Sequence, residues 1–178
     1  VVKKQIICGI DIINDGEVGK SNFSRYARER LAGFIERDVK ANDQASTIYA
    51  RDLVEFADYF NNRSCHRGDN LRRVFCNAPL KYIGHESLKA EIADFNAALQ
   101  GQKYEEAFLL AIAPGTIEHW MKNDYYPNDE TYLVAIADAM HEEYKAIVDA
   151  GFLLQIDDPD LPDGWQFMSK MTVPEYRK

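Results

Sequence analysis

Four apolar segments, each breaking off into polar or turn-forming residues and each followed by a helical pattern, constrain this chain most. Ile6–Ile13 runs into Asn14-Asp15-Gly16-Glu17, and Leu80–Ile83 into Gly84-His85-Glu86. Phe108–Ala113 runs into Pro114-Gly115-Thr116, and Phe152–Ile156 into Asp157-Asp158-Pro159. Strands alternating with helices are the signature of βαβ units and a parallel sheet. In such folds the carboxyl ends of the strands face one mouth, where ligands bind. Glu17, His85, Thr116 and Asp157 are therefore expected to gather there, although they lie far apart in sequence.

The helical patterns are explicit. Asn128 caps a helix that runs to Ala150, Asp129 and Glu130 suit its positive end, and Gly151 ends it. Leu133, Ile136, Ala137, Met140, Tyr144, Ile147 and Val148 give it one apolar face, with His141, Glu142 and Glu143 expected in solvent opposite. A second stripe is Phe23, Tyr26, Ala27, Arg30, Leu31 and Phe34, whose arginine is expected to snorkel or pair with a carboxylate. Leu53, Phe56, Ala57 and Phe60 mark a third helix, and Leu88, Ile92, Phe95 and Leu99 a fourth. Asn61 to Asn70 reads as loop. Asp11 alternates inward on its strand and is expected to brace the neighbouring loop.

At 178 residues, with 46% hydrophobic content, the chain is long enough for one domain with a sizeable core. The net charge is −8, from 29 acidic against 21 basic residues. The Lys and Arg clusters are short, and no basic stripe alternates with stacking aromatics, so no nucleic-acid partner is expected. No apolar run approaches the roughly 18 residues of a membrane helix, and no membrane partner is expected. The start, Val1-Val2-Lys3-Lys4, lacks a signal-peptide layout. Cys8, Cys65 and Cys76 form no CxxC and leave one over, which fits idle thiols in a reducing cytosol and a cytoplasmic location. Cys65-His66 has no second pair at metal-ligand spacing.

Two stretches carry a family resemblance. One is Gly9-Ile10-Asp11-Ile12-Ile13-Asn14-Asp15-Gly16-Glu17 with the helix through Arg28-Glu29-Arg30-Leu31. The other runs from Ala113-Pro114-Gly115-Thr116 through Tyr125-Tyr126-Pro127 to Leu154-Gln155-Ile156-Asp157-Asp158-Pro159. Together they resemble the catalytic barrel of cobalamin-independent methionine synthase and its smaller methyltransferase-like relatives, including the enzyme that opens epoxides with coenzyme M. The resemblance implies an α/β fold, a partial (β/α)8 TIM barrel with about half of the barrel present, since a whole barrel takes about 250 residues. Residues 1–178 would then be a single partial barrel domain, truncated at both ends: nothing precedes the first strand to cover it, and Thr172-Val173-Pro174-Glu175 reads as a helix start just before the chain stops. Open strand edges of such a half barrel lead to the expectation of a homo-oligomer.

The same resemblance assigns roles. Glu17 matches a carboxylate that binds the amino group of the thiol substrate, and Asp157 a second one serving the same group. A carboxylate holds an ammonium by charge-assisted hydrogen bonds, and Gly16 permits the sharp turn; a solvated turn is the structural alternative for Glu17. Trp120 matches a tryptophan that faces the pterin, the alternative being an indole that packs. Thr116 is expected to cap the following helix or donate to a ligand, and His85 to be structural or to reach the mouth. Asp15 stands where methionine synthases themselves differ, which tilts the resemblance toward the smaller relatives.

The family activates its thiol on zinc held by His, Cys, Glu and Cys from later strands, and no cysteine here matches those ligands. Zinc is thus expected in the full-length enzyme and none on this chain. The implied function is a fragment of a methyltransferase carrying a methyl group from 5-methyltetrahydrofolate to the thiol of homocysteine, forming methionine. Its partners would be a small-molecule thiol and a folate-like donor. The alternatives are a thiol alkyltransferase using another thiol such as coenzyme M, and a non-catalytic half-barrel module.

Overall fold

A computed structural model describes residues 1–40, 50–62, 70–167 and 171–177. The first apolar run does not form one strand. Gly9, in the left-handed region at φ +79°, splits it into helix α1 (Val2–Ile7) and the short strand β1 (Ile12–Asn14). Val2 is buried and Gln5 and Ile6, three and four residues on, are half-buried, while Lys3, Lys4 and Ile7 are exposed, so a helical rather than an alternating period sorts these residues. Asp11 accordingly lies outside the strand, exposed, its carbonyl accepting from the Glu105 N–H at 3.0 Å.

Helix α2 (Phe23–Arg30) starts at Asn22, whose side chain accepts from the Arg25 N–H, and stops at Leu31. Leu31 and Phe34, expected on that helix, belong instead to strand β2 (Leu31–Lys40). The expected third helix is two, α3 (Ala50–Glu55) and α4 (Ala57–Asn62), parted at Phe56. The loop expected at 61–70 falls largely outside the described residues, as do Cys65 and His66.

Strand β3 (Asn70–Tyr82) takes up most of Leu80–Ile83 and pairs antiparallel with β2. The register slips between Ala32 and Phe34, at Gly33. Its φ is +108°, and a Cβ there would lie 2.9 Å from the Ala78 carbonyl oxygen, so this bulge admits only glycine. Helix α5 (His85–Leu99) then leads to strand β4 (Glu106–Ile112), buried almost throughout as a central parallel strand must be. After it come α6 (Pro114–Trp120), β5 (Met121–Asn123), α7 (Asp129–Asp149) and β6 (Leu153–Asp157), then two short helices, α8 (Gly164–Phe167) and α9 (Val173–Tyr176). At α9 the backbone N–H and hydroxyl of Thr172 both donate to the Glu175 carboxylate, as the sequence leads one to expect of a helix start.

The fold is thus mixed α/β with two sheets. Strands β1, β4 and β6 form a parallel sheet in the order β1-β4-β6, and β2, β3 and β5 a mixed one in the order β2-β3-β5. The parallel sheet has three strands, not the four expected, because Leu80–Tyr82 is committed to the hairpin with β2.

Two cores follow. Ile13, Leu109 and Ala111 on one face of the parallel sheet pack with Leu88, Phe95 and Leu99 of α5 and Ile147 of α7. The second core joins Tyr26 and Ala27 of α2, Val74, Cys76 and Tyr82 of β3, Ile117 of α6 and Tyr132, Ile136 and Met140 of α7. Helix α7 serves both, but its buried face is rotated from the expected one. Leu133 and Val148 are exposed, whereas Tyr132 and Glu143 are fully buried.

Glu143 is the larger correction. Expected in solvent, it has no exposed surface. Its carboxylate accepts from the hydroxyls of Tyr26 and of Tyr82, the latter at 2.6 Å, and Arg30 Nε stands 3.6 Å away. The Arg30 guanidinium also donates to the Gly84 carbonyl, to Ser87 Oγ and to Glu91, the last at 2.6 Å. Burial, then the neighbouring carboxylate, pushes both tyrosine hydroxyls far above the ordinary range, so they stay protonated donors at any physiological pH. Burial pulls the Arg30 guanidinium the other way, but Tyr26, Glu143 and Glu91 outweigh it and hold the charge.

Removing one partner of a buried, hydrogen-bonded charge cluster costs roughly 3–5 kcal/mol. Glu143→Leu is expected to lower unfolding stability by about that amount in urea titrations, against less than about 0.5 kcal/mol for exposed Glu142→Leu. Equal effects for the two would place Glu143 in solvent after all.

Candidate functional site

The parallel order of β1, β4 and β6 puts Asn14, Ile112 and Asp157 at the same end of their sheet. Beyond β1 the chain turns through Gly16 and Glu17, both in the left-handed region, at φ +71° and +54°. For a residue with a side chain that conformation is sparsely populated. The turn is held by Asn14 Oδ1, which accepts from the Gly16 N–H at 3.0 Å, and by Asp15 Oδ1, which accepts from the Glu17 N–H at 3.1 Å. Glu17 itself projects as an exposed residue. Lys20 fastens the end of this loop: its buried ammonium donates to the Leu110 carbonyl at 2.9 Å and pairs with Glu91 at 2.8 Å.

Asp157 closes β6, half-buried, and its carbonyl accepts from the Ala113 N–H at 2.9 Å, fastening the ends of β4 and β6 together. Its Oδ1 accepts from Gln155 Nε2 at 2.7 Å. Alternation and register set Asn14, Gln155 and Asp157 on the sheet face opposite the α5 core, together with half-exposed Ile12 and Leu153.

The segment after β6 grips α6. The Thr116 hydroxyl donates to Asp158 Oδ1 at 3.1 Å, and the Trp120 indole N–H to Asp160 Oδ2 at 3.0 Å. Thr116 does not cap α6, whose N-cap position is Ala113; it is buried one turn in. A Cβ at Gly115 would approach Asp158 Oδ2 to 3.1 Å, so glycine lets the two segments close on each other. Trp120 is half-buried against the α7 core, with His119 edge-on at 5.3 Å. His119 Nε2 in turn lies 4.0 Å from Asp160 Oδ1 and 3.7 Å from Asp163 Oδ2. His85 stands apart, at the start of α5, exposed, 3.3 Å from Glu142 and edge-on to Tyr82 at 4.9 Å.

Thr116, Trp120 and Asp157 are thus brought to one end of β4 and β6, Glu17 to the matching end of β1, and His85 to a different neighbourhood. A cavity of about 750 Å³ lies elsewhere, between α2, α5 and the loop after β1, lined by Val18, Tyr26, Arg30, Glu91 and Phe95 among others. It is lined by none of those five residues. Sequence reasoning missed the buried network and the His119–Asp160–Asp163 group. A signal for the first was present: Ile136, Met140, Glu143 and Ile147 recur at four, three and four residues, the period of a buried stripe. The second unites residues some 40 positions apart, which no local pattern links.

The donor set that the resemblance implies for zinc is not met by the described residues. Cys8 is exposed at the end of α1, and Cys76 is buried in β3 with its Sγ 3.4 Å from the Ala78 carbonyl. Burial raises the Cys76 thiol above its ordinary range, the wrong direction for a metal-binding thiolate. Among the described residues the one group of three or more His, Cys, Asp and Glu close enough to share a cation is His119, Asp160 and Asp163. No helix among them is long and apolar enough to cross a membrane.

Comparison with known proteins agrees with this architecture. The chain is 25% identical over 155 residues to a methionine synthase of Sulfurisphaera tokodaii, covering 86% of the chain and 38% of that protein. It is 24% identical over 160 residues to the methionine synthase of Pyrococcus furiosus, covering 89% and 39%. Its fold matches a B12-independent methionine synthase of a Shewanella species, solved in complex with selenomethionine, with a TM-score of 0.59 at 20% identity over 90% of this chain and 40% of that one. No family model matches. The resemblance to the cobalamin-independent methionine synthase superfamily therefore holds over most of the chain. The particular proteins it is similar to are methionine synthases, of whose length it spans about two fifths.

An indole N–H cut from its acceptor exchanges with solvent. Asp160→Ala is expected to abolish protection of the Trp120 indole proton in hydrogen-exchange NMR and to leave that of Trp165 unchanged. An unaltered Trp120 signal would separate the two groups.

Proposed function

We propose that this chain forms part of a methyltransferase of methionine synthase type, in which Glu17 and Asp157 hold the amino group of an amino-acid thiol, homocysteine, and Trp120 faces a folate-like methyl donor. One observation carries the reading: two carboxylates at matching C-terminal ends of parallel strands, one of them on a backbone strained to present it. The chain's similarity to methionine synthases supports it, and so does the selenomethionine bound by the solved protein of like fold, an amino acid with the same backbone ammonium. Zinc would supply a thiolate from the substrate thiol when bound in the whole enzyme. The residues described here do not make that donor set, so the contribution assigned to this chain is binding and orientation. Thr116 and Asp158 would keep α6 at a fixed distance from β6, and the Trp120–Asp160 bond would fix the indole plane.

Homocysteine titrated into the protein by calorimetry tests this. Losing a charge-assisted hydrogen bond costs roughly 1.5–3 kcal/mol, so Glu17→Gln and Asp157→Asn are each expected to weaken binding about tenfold or more. Coenzyme M, which has no ammonium and carries a sulfonate, would gain nothing from either carboxylate, so neither substitution would weaken its binding. Unchanged homocysteine affinity in both variants would remove these carboxylates from the site.

Self-association belongs to the same reading. Among the described residues β1 and β6 each pair on one side only, and Ile12 and Leu153 at these edge strands are half-exposed although Leu110 and Ile112 between them are buried. The Gln5 side chain already takes up the Asn14 N–H and C=O, which leaves β6 the freer edge. Unpaired strand edges template association, and the net charge of −8 opposes it only weakly beyond about 10 Å at ordinary salt. Light scattering is expected to show a dimer or larger species at micromolar concentration; a monomer would count against association through these edges.

A further inference from the structure

We propose that His119, Asp160 and Asp163 form a binding site for a divalent transition cation, zinc, that clamps the segment after β6 onto α6. The site goes beyond the amino-acid-binding reading and rests on none of its carboxylates. Three observations carry it. First, the three side chains come from two elements, and their donor atoms all lie within 4.8 Å of one another, with 4.0 and 3.7 Å from the imidazole nitrogen to each carboxylate. A tetrahedral ion with arms of about 2.0–2.2 Å holds its ligands about 3.3–3.6 Å apart, so closure asks for shifts of tenths of an ångström between the imidazole and each carboxylate and of up to about 1.2 Å between the two carboxylates. Second, the side chains of His119 and Asp160 are each only 10% exposed, and that of Asp163 31%, so the group is sheltered but reachable from solvent. Third, Asp160 is already oriented as a metal-binding carboxylate is. Its Oδ2 accepts the Trp120 indole N–H, which leaves Oδ1, the oxygen facing His119, for the ion.

The donor chemistry selects the ion. One imidazole nitrogen with two carboxylate oxygens suits zinc; magnesium and calcium favour all-oxygen sets. Two carboxylates and a neutral imidazole also balance a doubly charged ion. Three protein ligands leave a fourth tetrahedral position for water or a ligand atom. The absence of sulfur separates this site from the thiolate-rich one that the family resemblance implies.

The test is titration of zinc chloride into the metal-stripped chain by calorimetry, with circular dichroism to confirm the fold of each variant. One saturable site per chain is expected. His119→Gln and Asp163→Asn should each weaken it tenfold or more; Asp163 is the least buried of the three, which keeps that variant folded. Asp149→Asn, which removes an equal charge from the exposed face of α7, should leave affinity unchanged, and so should Cys65→Ser. Cobalt in place of zinc should show ligand-field absorption without a thiolate charge-transfer band. Absence of a saturable site, binding that survives both His119→Gln and Asp163→Asn, or a thiolate band that disappears in Cys65→Ser would each overturn the proposal.

Discussion

The Glu143 carboxylate is the interaction on which the rest of this structure depends. It is a charge with no access to water, and its desolvation is offset only because two tyrosine hydroxyls and a guanidinium converge on it. Those partners come from α2 and from β3, so satisfying one carboxylate fixes where both lie relative to α7. Arg30 extends the chain of contacts to α5 through Glu91, and Glu91 to the loop after β1 through Lys20. The loop that carries Glu17 is therefore positioned, at several removes, by a buried acid on α7. An apolar residue at 143 would fill space but specify none of these approaches.

What was legible in the sequence was whatever a local period could express. The caps of α7 at Asn128, the run of α5, the strand β4 and the turn after β6 follow from spacing and turn chemistry over a few residues. The long hairpin was not legible, because β2 begins with residues that continue the stripe of α2. Leu31 and Phe34 sit at helical spacing from Tyr26 and Ala27, and only the bulge at Gly33 and the pairing with β3 settle their state. The reading of Ile6–Ile13 as a strand failed for the opposite reason, since apolar residues on both sides of Gly9 look like one segment although the glycine, in the left-handed region, cuts it in two. Glu143 was misjudged by its chemical type although its spacing was that of the core.

The candidate site shows the same division. Position after strands brought forward Glu17, His85, Thr116 and Asp157, of which Thr116 and Asp157 share the ends of β4 and β6 while His85 stands elsewhere; Trp120, brought forward by the family resemblance, joins Thr116 and Asp157 there. It could not show that Asp158 and Asp160 hold Thr116 and Trp120, because those hydrogen bonds span 42 and 40 residues. The carboxylates at the end of β6 and beyond thus divide their work, with Asp157 left on the sheet face opposite the α5 core and its successors spent on holding α6.

Helix α7 has a consequence of its own. Its middle and N-terminal turns are built into the core shared with the hairpin sheet, while its last turns belong to the core under the parallel sheet. With the two sheets sharing one wall, neither can open without baring half of a helix whose other half is still engaged. Two cores that look separable on paper then melt as one unit, and damage at either end of α7 is felt at the far side of the molecule.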